Sequence, residues 1–117
     1  MPHLLLIVEP IGQREERGLE GGREAYAQML AFAQGLQERG VLLATQSLSS
    51  LADAARVQVR GERSRVIDGP FAEAKEMIGG FFLIDCDDRA EAVALAAACP
   101  AAQWATVEVR SVGPCYT

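Results

Sequence analysis

Residues 67–84 read IDGPFAEAKEMIGGFFLI. An acid, a glycine, a proline and a phenylalanine stand together, a charged helical-looking turn follows, and the segment closes in an apolar run. Asp-Gly-Pro is turn chemistry. Aspartate accepts backbone N–H groups, glycine supplies a positive φ, and proline sets the φ that follows. Gly80 to Cys86 (GFFLIDC) is apolar at successive positions, as a strand covered on both faces requires. The stretch therefore predicts a corner that aims the chain into a core strand.

Upstream of the corner, Arg56-Val57-Gln58-Val59-Arg60 alternates strictly, Gly61-Glu62-Arg63 turns, and Ser64 to Ile67 returns. This predicts a hairpin inserted in mid-chain and wet on one side. His3 to Val8 forms a first strand, closed by Glu9-Pro10, and the polar, glycine-rich Gly12 to Gly22 is predicted to be a loop. From Arg23 to Arg39 the apolar residues Tyr26, Met29, Leu30, Ala33 and Leu36 keep helical spacing. Gly40 stands in the position where a left-handed residue ends a helix, and Gly35 is expected to let this helix approach the sheet. Val41 to Leu48 is the second strand, with Ser47 to Asp53 as a connection. Downstream, Asp88 caps a helix over Arg89 to Cys99 with Glu91 in the capping-box position, Pro100 stops it, and Ala105 to Val112 is the last strand.

The order is β-α-β, hairpin, β-α-β. It predicts one α+β domain over residues 1–117, ferredoxin-like, with an antiparallel sheet and both helices on one face. HLLLIV and GFFLI are apolar on both faces, yet two helices cover only one. An exposed face of Leu, Ile and Phe is large for a monomer, so a homodimer joined sheet to sheet is expected.

The 117-residue chain is half hydrophobic and carries a net charge of −5. No basic stripe suits it to nucleic acid. Arg14, Arg17 and Arg23 alternate with Glu15, Glu16, Glu20 and Glu24 and read as a solvated surface segment. MPHLLLIVEP lacks the basic n-region and cleavage pattern of a signal peptide, and no apolar run reaches the ~18 residues of a membrane span. Cys86 and Cys99 read as core residues and Cys115 as part of a tail, without a disulfide or zinc framework, which points to the cytoplasm. No metal-ligand spacing and no phosphate loop is present, so neither a metal nor a cofactor is expected.

Asp68 to Glu76 (DGPFAEAKE) with Gly79-Gly80-Phe81-Phe82 resembles the signature of DGPF-domain proteins, in the YCII-related group of the dimeric α+β-barrel superfamily. The Gly40-Val41-Leu42-Leu43 lead-in to strand two, the VQVRG hairpin and the VEVR strand extend the resemblance from His3 to Val112. It implies a ferredoxin-like protomer, a dimer of facing sheets and a cleft beside each sheet. Some relatives are lyase-like or dehalogenase-like enzymes that use a histidine on the first helix and an aspartate after strand two. The position matching that histidine is Met29, so that pair is not reproduced. Genes resembling this one often neighbour extracytoplasmic-function sigma factors, which implies a regulatory association.

Asp68 is either a turn acceptor or a general base or ligand anchor, its pKa raised beside apolar Phe71. His3 is either a satisfied edge residue or a titratable assistant. Tyr26 either packs in the core or donates into the cleft. Gln46 and Ser47 stand at the mouth with Glu9, while Phe71 reads as a core plug and Lys75 and Glu76 could pair with charges on the motif. Two functions remain open: a dimeric module binding a small ligand or protein partner near the motif, or a cofactor-free lyase, isomerase or dehalogenase-like enzyme acting on a small organic acid with Asp68 as base.

Overall fold

Strand β1 (Pro2–Pro10) sets the frame. His3, Leu5, Ile7 and Glu9 are buried on one face, while Leu4, Leu6 and Val8 on the other are half-buried. A computed structural model describes residues 1–116. It places β1 inside a four-stranded antiparallel sheet of order β2–β5–β1–β6, with β2 at Leu42–Ser47, β5 at Glu76–Asp85 and β6 at Thr106–Ser111. Helix α1 (Gln13–Glu38) connects β1 to β2, and helix α2 (Arg89–Ala98) connects β5 to β6. Each βαβ unit leaves a gap that a strand of the other fills, which is the ferredoxin-like split arrangement.

The core lies between the helices and the inner face of the sheet. Leu5, Ile7, Phe82 and Ile84 meet Leu36 of α1 and Ala92, Leu95 and Ala96 of α2. Phe32 stands edge-on to Phe82, ring centroids 5.2 Å apart. Alanines let α2 lie close to the sheet. Asp88 accepts the Glu91 N–H at 2.9 Å, and the Glu91 carboxylate reaches back to the Asp87 N–H rather than to that of Asp88. Gly40, at φ 74°, ends α1 in a Schellman motif, with Gly40 N–H on the Gln37 carbonyl and Val41 N–H on that of Leu36.

Three elements differ from the sequence reading. Gln13 to Gly22 is helical, not a loop, although Gly18 breaks the helix at φ 75°, ψ 176°. Contacts of Gln13, Arg14 and Arg17 with the rest of the fold override the weak helix propensity of the glycines. Glu76 begins β5 opposite Pro10 instead of sitting in a helical turn, and the strand bulges between the pairs Ile7–Gly80 and Val8–Ile78. The hairpin of β3 (Ala55–Arg60) and β4 (Arg63–Asp68) forms a sheet of its own and is wet on both sides. Val57, Val59 and Val66 share one face at 64%, 59% and 60% exposure. Arg56, Arg60, Arg63 and Arg65 share the other. The expected close approach of Gly35 is also absent, since a Cβ there meets nothing within 4 Å.

The outer face of the sheet carries Leu4, Leu6 and Val8 beside Phe81 and Leu83, and no helix among the described residues packs on it. Its β6 edge is polar, with Glu108 opposite Leu6 and an ion-paired Arg110 opposite Leu4. No helix among the described residues is long and apolar enough to cross a membrane.

Two glycines should respond oppositely to alanine. At Gly69 a Cβ would lie 1.9 Å from the Leu51 carbonyl oxygen, a backbone atom with no freedom to swing away. Gly69→Ala should destabilise by roughly 1–3 kcal/mol. Gly35→Ala should stabilise by about 0.5–1 kcal/mol by removing a helix-interior glycine. Urea unfolding of both variants checks the pair.

Candidate functional site

Strand alternation puts two polar residues of β1 on the core side, one near each end, and each needs a partner. At the start, His3 Nδ1 lies 3.2 Å from the Met1 carbonyl oxygen and 3.2 Å from Cys86 Sγ. Burial pushes the Cys86 thiol up, with the Glu91 carboxylate adding to the shift, so the sulfur stays protonated at neutral pH. At the other end, the Glu9 carboxylate takes Arg14 Nε at 2.6 Å and Arg14 Nη2 at 3.3 Å. Arg14 Nη2 also donates to the Leu48 carbonyl at 3.0 Å, which ties the first turn of α1 to the end of β2. Gly79 makes room for the pair: a Cβ there would lie 2.0 Å from Glu9 Oε2 and 2.9 Å from Arg14 Nη2.

The Glu9–Arg14 pair stands at the wall of a cavity of about 790 Å3 between α1 and the sheet. Leu36 is the only described residue of α1 that is buried, so the helix seals against the sheet near its C-terminus, and Arg14 fastens its first turn. Ile7, Met29, Ala33 and Phe82 line the interior, and Thr45, Gln46 and Ser47 border it from β2. Tyr26 and Leu30, each 52% exposed, border it from α1. Trp104, after the 3-10 turn Pro100–Gln103, closes one side. There the Arg17 guanidinium lies over the indole, 5.5 Å from its centroid, and Nη2 donates to Gln13 Oε1 at 3.1 Å. Gln13 Nε2 in turn donates to the Trp104 carbonyl.

Of the residues singled out in the sequence, the cavity gathers Glu9, Tyr26, Gln46 and Ser47, and Met29 with them. It does not gather Asp68, His3, Phe71 or Glu76. His3 sits some 20 Å along β1 from Glu9, at ~3.3 Å per residue. Asp68 is exposed, and its carboxylate makes no hydrogen bond or ion pair among the described residues. Gly69 ties the corner instead, its N–H on the Ala54 carbonyl at 2.7 Å. Phe71 is buried beneath the Arg56 guanidinium, 3.7 Å from ring centroid to Cζ, and borders with Pro70 a second cavity of about 170 Å3. Glu76 is exposed at the start of β5. The Gly79-Gly80-Phe81-Phe82 half of the motif thus reaches the large cavity, whereas its Asp-Gly-Pro-Phe half does not.

The sequence of the YCII-related domain matches residues 5–115, nearly the whole chain. The chain belongs to the YCII-related family. No curated protein matches it. Within this YCII-related chain, sequence reasoning missed Arg14, Arg17 and Trp104. The two arginines were hidden in a mixed-charge run, and Trp104 is the chain's single tryptophan, a signal that needs the fold to place it.

Gly79→Ala should force the Glu9 carboxylate off Arg14. The expected cost is roughly 1–3 kcal/mol, the range for polar groups that lose their partners on partial burial. Thermal melts measure this, and a variant as stable as the wild type would show that the pair relocates freely.

Proposed function

We propose that the protein is a homodimeric module that binds a small, apolar-bodied molecule in the cavity between α1 and the sheet. The observation that carries this reading is the cavity itself. About 790 Å3 lies within the range of roughly 300–1,000 Å3 typical of small-molecule sites, and its walls are apolar with a few placed polar groups. Exposed Tyr26 and Leu30 at its border are apolar surface that a ligand would cover. Binding is favoured over catalysis because the buried carboxylate at the cavity, Glu9, already has both its oxygens on the Arg14 guanidinium. An enzyme working here would also have to do without Asp68 and His3, which lie outside the cavity. The motif half from Asp68 to Phe71 acts in this reading as the corner at the hairpin base.

The dimer rests on the outer face of the sheet. Leu4, Leu6, Val8, Phe81 and Leu83 form a contiguous apolar surface over which no helix passes, and a second copy would bury it, as in the dimeric α+β barrels that the DGPF-like motif resembles.

Trp104 gives a direct probe of the cavity. Adding 1-anilinonaphthalene-8-sulfonate, an amphipathic dye, should quench Trp104 fluorescence saturably while the dye brightens, and Met29→Phe should weaken this by filling part of the cavity. Unsaturable or absent quenching would contradict ligand binding. Sedimentation at micromolar concentration should give a dimer, and Leu6→Glu should shift it toward monomer. A monomeric wild-type chain would contradict the assembly.

A further inference from the structure

Three arginines line the large cavity, and their circumstances differ. Arg14 is neutralised by Glu9. Arg23 is exposed on α1. Arg17 is half-buried, and among the described residues no carboxylate lies within the 4.0 Å of an ion pair. It is nevertheless held in place. Its guanidinium carbon lies over the Trp104 ring at 5.5 Å, and one nitrogen is fixed by Gln13, itself anchored on the Trp104 carbonyl.

We infer that Arg17 is the receptor for a carboxylate group, and that the cavity takes small monocarboxylates with an apolar body. This rests on the ligand-binding reading above. A partly desolvated cation without a counter-ion is costly, and an anion that pairs with it recovers that cost. Guanidinium has five N–H donors, and a single neutral acceptor, Gln13, engages this one. The remaining donors suit the two-pronged geometry of a carboxylate, and the hold of Gln13 and Trp104 on the side chain reduces the entropy that a free arginine would lose on binding. The apolar body of the ligand would extend over Ile7, Met29 and Phe82. Glu9 and Glu15 also line the cavity, so its three arginines and two carboxylates leave a net of one positive charge. That balance fits a single negative charge and disfavours the double charge of a phosphate monoester.

The test compares 4-phenylbutyrate with its neutral amide, 4-phenylbutyramide, each titrated into the full chain with Trp104 fluorescence as readout. The carboxylate should bind the wild type at least about tenfold more tightly, and raising the salt concentration should narrow the gap. Arg17→Met should bring the two affinities together with little change for the amide. Arg17→Gln, which keeps a polar partner for Gln13, should do the same if the methionine variant folds poorly, and Arg17→Lys should restore part of the preference. Equal affinities in the wild type, or a preference that survives in a folded Arg17→Met or Arg17→Gln chain, would overturn the assignment of Arg17 and leave ligand binding standing. Saturable binding of neither compound would overturn the ligand-binding reading and this inference together.

Discussion

Glu9 faces the core because β1 alternates, and the surrounding fold answers that single fact. A carboxylate on the buried side of a strand requires a cation and hydrogen-bond donors. Arg14, five residues on, supplies both, at 2.6 Å and 3.3 Å. Reaching Glu9 brings the first turn of α1 back over the end of the sheet, and the bond from Arg14 to the Leu48 carbonyl fastens that turn to β2. Gly79 leaves the space where the pair sits, and the bulge in β5 falls at the same place. Gly18, at φ 75°, then lets the chain change direction before the long part of the helix.

These constraints open the cavity. The first turn of α1 is held by Arg14, and the far end of the helix is held by Leu36 in the core. Between those anchors Met29, Phe32 and Ala33 meet the core while only partly buried, and Tyr26 and Leu30 remain exposed at the border of the space below. A helix packed tightly along its length would have been more stable, and the open space is the kind of local departure from best packing that marks functional sites. The outer face of the sheet is the second such departure. Its apolar strands β1 and β5 are central, with an ion pair on the β6 edge and Asp85 at the strand end.

Much of this architecture was legible in the sequence because its causes are local. The apolar runs of β1 and β5, the helical spacing through Leu36, the cap at Asp88 and the left-handed Gly40 all report on residues within a few positions of one another. The ferredoxin-like order follows from them. Less of the site was legible. Glu9, Tyr26, Gln46 and Ser47 could be placed near a mouth because they end or face regular elements, but Arg14 and Arg17 read as ordinary surface charges. Their roles depend on Glu9 and on Trp104, 87 residues beyond Arg17, and no short-range pattern encodes such a contact. The same limit explains the helix over Gln13 to Gly22. The hairpin forms where the alternation places it, but its second wet face was not legible for a related reason: alternation shows which residues share a face, not whether anything covers it. Asp68 drew notice as a carboxylate in a memorable motif, while its neighbour Gly69 carries the tight contact.

The dependence of the cavity wall on Glu9 and Arg14 is tested most directly by a double-mutant cycle with Glu9→Gln, Arg14→Met and the two combined, using denaturant unfolding at low salt. Contact pairs couple by about 0.5–3 kcal/mol, and a pair with one partner a third exposed should fall in the middle of that range. The account predicts a coupling of at least about 1 kcal/mol, with the double variant less damaged than the sum of the single ones. Additive losses, with a coupling near zero, would contradict it.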